Sequence, residues 1–200
     1  MHAADWAYGV AAAATVAGAL THRPVVQYLS KPLLMPILAA RSSADMPPQL
    51  AVGLAAATVG DLAMIDPDDD RRFTVGASSF AVMQACWSVL LVQRGSRFRA
   101  RHVLPRAIGW AVGGAVAARR SPSIAPVSIA YGAALGAMSA LGADGDTRAV
   151  IGSTLFTVSD AMVLARRQVS DEAVRTALEA AVLMTYIGAQ HFLVQSLRAA

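Results

Sequence analysis

Cysteine is almost absent from this 200-residue sequence, with Cys86 standing alone inside an apolar run. A single thiol forms neither an internal disulfide nor a thiolate metal site, so Cys86 reads as a small packed hydrophobe. Charge is also scarce, at 15% of residues, and it is unevenly composed: Lys31 is the only lysine among 17 basic residues. Histidine is too thinly spread for a zinc hydrolase, which needs about three ligands around an open position. Of the four, His2, His22 and His102 lie at or near the ends of apolar segments. No G-x-S-x-G elbow is present, and a Ser-His-Asp triad would need His191 as its base without a convincing serine. The acidic run from Asp66 to Asp70 lacks the spaced ligands and closing glutamate of an EF-hand loop and reads as a solvated turn.

What the chain does have is apolar length. Hydrophobic residues make up 56% of it and the mean hydropathy is +0.48, too apolar for an ordinary soluble domain. The first apolar run has no basic residues before it, and similar runs recur to the end, which argues against a simple cleaved signal peptide. Polar punctuation divides the sequence into about eight apolar segments, at 6–20, 25–40, 49–65, 73–92, 103–118, 124–141, 150–165 and 174–197. Several are near 16 residues, short of the ~20 that span a typical bilayer core. Small residues, local thinning and snorkelling arginines absorb such a mismatch. Pro32 and Pro36 are expected to kink the second segment or start it late.

The expected fold is therefore an all-α integral membrane protein with about eight transmembrane helices, residues 1–200 forming one polytopic domain in a bacterial cell membrane. The basic residues are spread over the loops, which fits anchoring at anionic headgroups rather than nucleic-acid binding. With eight spans they divide eight to nine between the two faces, so the positive-inside rule gives no orientation. The Gly109–Gly113 and Gly132–Gly136 spacings read as sites of close helix packing.

Two aspartates interrupt this apolar pattern in matched surroundings: Thr58-Val59-Gly60-Asp61-Leu62-Ala63-Met64 and Thr157-Val158-Ser159-Asp160-Ala161-Met162-Val163. An ionisable group in the bilayer core costs roughly 2.5–3.5 kcal/mol on insertion scales and marks a functional site by default. The two are 99 residues apart and fall in the third and seventh segments, so their helices run in the same direction. Each lies on the order of 7 Å below the same face. Two four-helix repeats in parallel orientation would bring them together at their interface, with chance similarity as the alternative. Lys31 opens the second segment from that face, while Gln84, Tyr186 and Gln190 reach the midplane, so a polar cavity is expected to bottom near Gln84 and Gln190. The structural alternatives are interhelical hydrogen bonds for Gln84, Tyr186 and Gln190, pairing with Arg or Lys31 for the aspartates, and snorkelling for Lys31.

Lys31-Pro32-Leu33-Leu34, Gly60-Asp61, Ser159-Asp160, Thr185-Tyr186 and Ala189-Gln190, in that order and spacing from about residue 24 to 195, resemble the landmarks of the YhhN-like lysoplasmalogenase family. One landmark departs. Where the family usually has an Ala-His pair followed by an aromatic, this chain has Met83-Gln84 and then Trp87. Glutamine keeps the hydrogen bonding but exchanges no proton near neutral pH.

The resemblance implies a multi-span hydrolase that cleaves the vinyl-ether bond of a lysoplasmalogen or related lysolipid, with no soluble cofactor and no metal. The products would be a fatty aldehyde and a glycerophospho-alcohol. That chemistry suits a close carboxyl pair: Asp61 and Asp160 as acid and base, one of them kept protonated by burial and by the other's charge. Lys31 is the candidate for the substrate phosphate, and Gln84, Tyr186 and Gln190 complete the expected substrate contacts. The competing readings are a small proton-coupled carrier and a non-catalytic family member.

Overall fold

The computed structural model describes residues 3–42, 46–66 and 68–198, which leaves His2 and Pro67 outside the described residues. Nine α-helices are found there: α1 (Ala3–Leu20), α2 (Pro24–Ser30), α3 (Leu34–Ala40), α4 (Pro48–Ala63), α5 (Asp70–Gln93), α6 (Ala100–Arg120), α7 (Ala125–Gly142), α8 (Thr147–Arg166) and α9 (Glu172–Leu197). A 3-10 turn, Lys31–Leu33, joins α2 to α3. The second apolar segment is thus broken at Pro32, whose ring removes a backbone donor, while Pro36 is accommodated in the first turn of α3.

Local chemistry sets several of the helix starts. Asp69, Asp146 and Asp171 cap α5, α8 and α9 by accepting from the backbone N–H of Arg72, Ala149 and Val174. Proline opens α2, α4 and α7, where its missing N–H costs nothing. Among the described residues four helices, α5, α7, α8 and α9, are long and apolar enough to cross a membrane. Apolar side chains are exposed in rows, such as Leu104, Ile108, Val112 and Val116 along α6.

The connections gather at two ends of the bundle. At one end Asp68 pairs with Arg166 (3.1 Å) and Arg175, Asp70 with Arg167 (2.7 Å), and Arg72 with Tyr28 (3.0 Å). At the other Arg41 pairs with Asp5, Arg99 with Asp144, and Arg198 donates to the carbonyl of Arg41 at 2.9 Å. The Asp66–Asp70 turn is therefore more than solvated, because arginines of the α8–α9 hairpin hold it.

Inside, α4 packs on α5, α8 on α9, and α5 and α6 on α7. Helix α1 covers the broken α2–α3 segment and one side of α9. The core between them holds Leu34, Met35, Leu38, Leu50, Met83, Trp87, Met138, Phe156 and Leu193. Two close approaches recur with the spacing of the aspartates. Gly53 on α4 lies against the Trp87 ring of α5, and Gly152 on α8 against Leu193 and the backbone of α9. Just before each aspartate, Gly60 faces the Phe80 ring of α5, while Ser159 donates to the carbonyl of Val182 on α9 at 3.1 Å. A small residue at each point lets its helix pair close up and fixes how the aspartate is aimed.

Candidate functional site

Asp61 lies on the last turn of α4 and is fully buried. Tyr186 of α9 donates to its Oδ2 at 3.0 Å, and Lys31 Nζ stands 3.9 Å from Oδ1. Among the described residues Oδ1 has no hydrogen-bond partner. Lys31 sits in the 3-10 turn packed on α4, only 6% exposed, and also donates to the Met64 carbonyl at 3.4 Å. Its ammonium group therefore points inward to Asp61 rather than out towards headgroups.

Asp160, on α8, accepts at Oδ2 from the hydroxyl of Tyr131 on α7. Among the described residues no cation pairs with it. Behind each tyrosine stands a glutamine: Gln84 Nε2 donates to the Tyr131 oxygen at 3.0 Å, and Gln190 Nε2 to the Tyr186 oxygen at 3.2 Å. A tyrosine hydroxyl has one proton to give. With its oxygen already receiving an amide N–H, that proton is directed at the carboxylate, and the two bonds strengthen one another. The result is two parallel relays, Gln190–Tyr186–Asp61 and Gln84–Tyr131–Asp160.

Both aspartates belong to the lining of one cavity of about 500 Å³, within the range of small-molecule sites, Asp160 partly accessible and Asp61 set into the wall with no exposed surface. Lys31, Tyr131 and Tyr186 also line it. Among the described residues no hydrogen bond joins the two carboxyls; they face a common space from separate tyrosines. Gln84 and Gln190, expected at the floor of this cavity, are fully buried and stand behind its wall. Counting residues along a helix gives depth but not the direction in which a side chain points, and both amides turn to their tyrosines. Among the described residues Gln84 Oε1 and Gln190 Oε1 have no hydrogen-bond partner.

The spaced glycines have a second role besides packing. Gly132 takes the Trp110 ring at its open face, whereas Gly109 and Gly136 have nothing near them and form bare stretches of cavity wall. That wall lies between α6, α7 and α8. Helix α6 packs mainly on α7, with Ala117 as its one buried residue, so the cavity is covered thinly on this side.

Sequence reasoning missed Tyr131, the direct partner of Asp160. A single hydroxyl-bearing aromatic in an Ala/Gly-rich span was the available signal. It also missed Gln27, Arg166 and Glu179 at the mouth near the acidic turn, where Glu179 accepts from Gln27 (3.3 Å) and pairs with Arg166 (3.4 Å). Arg106 and Ser139, at the opposite end, were missed as well. His191 is remote from this cavity's lining: it stacks on Tyr8 with ring centroids 5.8 Å apart and contacts Arg41 and Gln195. Among the described residues no three His, Cys, Asp or Glu side chains converge as a metal site would require.

No curated protein and no solved structure matches the chain. A family model does: that of the YhhN family, over residues 26–197.

Proposed function

We propose that this chain, which belongs to the YhhN family, is a multi-pass membrane hydrolase that cleaves the vinyl-ether bond of a lysoplasmalogen or a related single-chain lysolipid. The observation that carries the reading is the pair of carboxyls on one cavity wall, each aimed by its own Gln–Tyr relay.

Asp160, with no cation beside it, is the proton donor; a neutral acid is the cheaper form in a dry site. It protonates the vinyl carbon remote from the ether oxygen, leaving an oxocarbenium ion at the carbon that bears the oxygen. Asp61, beside Lys31, is the carboxylate that faces this positive charge and takes a proton from the attacking water. Water addition gives a hemiacetal. As it collapses, its hydroxyl proton returns to Asp160 and Asp61 protonates the departing glycerol oxygen. Aldehyde and glycerophospho-alcohol leave, and both carboxyls are restored.

Gln84 fits an active enzyme. The position where the family usually has histidine stands behind Tyr131, so the substitution removes no group from the cavity wall.

Eight spans in two parallel four-helix halves are part of this reading. Gly53/Gly152, Gly60/Ser159 and Asp61/Asp160 share one offset of 99 residues and play matching packing or site roles. The relays also cross between the halves: Gln84 of the first serves Tyr131 of the second, and Tyr186 of the second serves Asp61 of the first.

Purified protein in detergent, given a lysoplasmalogen in heavy-oxygen water, tests the bond cleaved. The expected result is release of aldehyde, with the ether oxygen retained by the glycerophospho product. Heavy oxygen in that product, or no aldehyde at all, would overturn the reading. Lipid flux in sealed liposomes without any product would point to a carrier instead.

A further inference from the structure

The cavity wall carries six charged side chains, and all but two are in ion pairs across it. Lys31 stands against Asp61, and Arg166 against Glu179. Asp160 and Arg106 are left. Of these two, Arg106 alone is a cation, and it lines the cavity. Among the described residues no carboxylate pairs with it. It is nevertheless held in place: Nη1 donates to the His102 carbonyl at 2.8 Å, and Nε donates to Ser139 Oγ of α7.

Arg106 also borders a second groove of about 250 Å³ between α6 and α7, which shares Trp110, Gly132 and Gly136 with the main cavity. A fixed guanidinium at a junction of two cavities has donors to spare and charge to be neutralised. Planar, multiply hydrogen-bonded capture of a phosphoryl group is what such a side chain does best.

We infer that Arg106, braced by Ser139, is the phosphate-binding site of this cavity and takes the phosphodiester of a single-chain lipid. The Lys31 ammonium, already facing Asp61, stays with the chemistry. Along α7, Ser139 is two turns beyond Tyr131, on the order of 12 Å. A lipid whose phosphate sits at Arg106 therefore extends its glycerol and first chain atoms towards Asp160, and its chain leaves along the thinly covered α6–α8 side. The substrate class rests on the hydrolase reading above; the anion site does not.

Binding separates the two. In detergent, the protein is titrated with three probes and followed by tryptophan emission, Trp110 being on the wall. The probes are a saturated 1-O-alkyl lysophosphatidylethanolamine, which has no vinyl ether to cleave, the matching 1-O-alkylglycerol, and chain-free glycerophosphoethanolamine. Arg106→Gln should weaken the lysophospholipid about tenfold or more, as loss of charge-assisted hydrogen bonds implies, and leave the alkylglycerol unchanged. Chain-free glycerophosphoethanolamine should bind more weakly than the lysolipid and lose what affinity it has in the variant.

Ser139→Ala keeps the charge but removes the brace, and should cost the lysophospholipid a few-fold without touching the alkylglycerol. It carries the test if Arg106→Gln does not fold. Equal loss for both chain-bearing probes, or no loss for the lysophospholipid in either variant, would overturn the site and leave Arg106 as a snorkelling anchor. Intact Arg106-dependent binding in a protein that releases no aldehyde would retire the hydrolase reading alone.

Discussion

A carboxyl group buried in an apolar helix has to be answered by a neighbour, and the two aspartates here are answered differently. Asp61 has a cation at 3.9 Å and a tyrosine; Asp160 has a tyrosine and, among the described residues, no cation. In the proposed mechanism this difference in surroundings is what gives two groups of one chemical type separate tasks. Tyr131 acts through Asp160, so it is a positioning residue. Tyr131→Phe should lower kcat by roughly tenfold to a hundredfold, within the range of a compromised general acid, while KM moves by no more than about twofold. A pH profile of the variant should shift on the limb set by the acid. A purely structural role would instead lower the amount of active protein and leave the profile unmoved.

At the scale of helices, the contacts that matter are the ones that only small residues permit. A Cβ on Gly152 would meet Leu193 side-chain and backbone atoms and the Ala189 carbonyl at 2.7 to 3.0 Å, and backbone cannot step aside as a side-chain tip can. Gly152→Ala should therefore push α8 from α9 and cost about 1–3 kcal/mol, visible as a lower midpoint of thermal unfolding in detergent. Gly9→Ala on α1 has nothing within 4 Å and should be neutral or slightly stabilising.

Most of the helices were legible in the sequence because charged and proline-rich turns separate the apolar runs; α1, α5, α6, α8 and α9 merely begin a few residues earlier, three of them directly after the capping residues Asp69, Asp146 and Asp171. The residue types of the site were legible, and the direction in which each side chain points was not. Asp61, Asp160, Lys31 and Tyr186 line the cavity, whereas Gln84 and Gln190 are buried outside its lining and bond to their tyrosines. Which way a helix is turned about its axis is decided by contacts such as Gly60 against Phe80, and an apolar stretch with little amphipathic bias carries no record of those.

At the scale of the molecule, arginine–aspartate pairs tie the turns at each end of the bundle, so stability should depend on acidity even though the core is apolar. Partial burial pushes the Asp68 carboxyl up, but Arg166 and Arg175 outweigh it and hold the group below the ordinary carboxylate range. Its contribution is therefore present above the unfolded value of about 3.9 and is lost as pH falls through the lower folded value. Asp68 is partly exposed, so Asp68→Asn should cost at most about 1 kcal/mol at neutral pH, and this variant should lose less stability than the wild type on acidification. Equal acid sensitivity in the two proteins would remove Asp68 from the clamp.

The proposal that cleavage needs both carboxyls is most directly tested by the rate of aldehyde release from a lysoplasmalogen, measured on purified wild-type, Asp61→Asn and Asp160→Asn protein at matched folded concentration. Both variants should lose at least about a hundredfold in kcat, since each removes a proton-transfer group that no neighbour replaces. Turnover within a few-fold of wild type in either variant would contradict it.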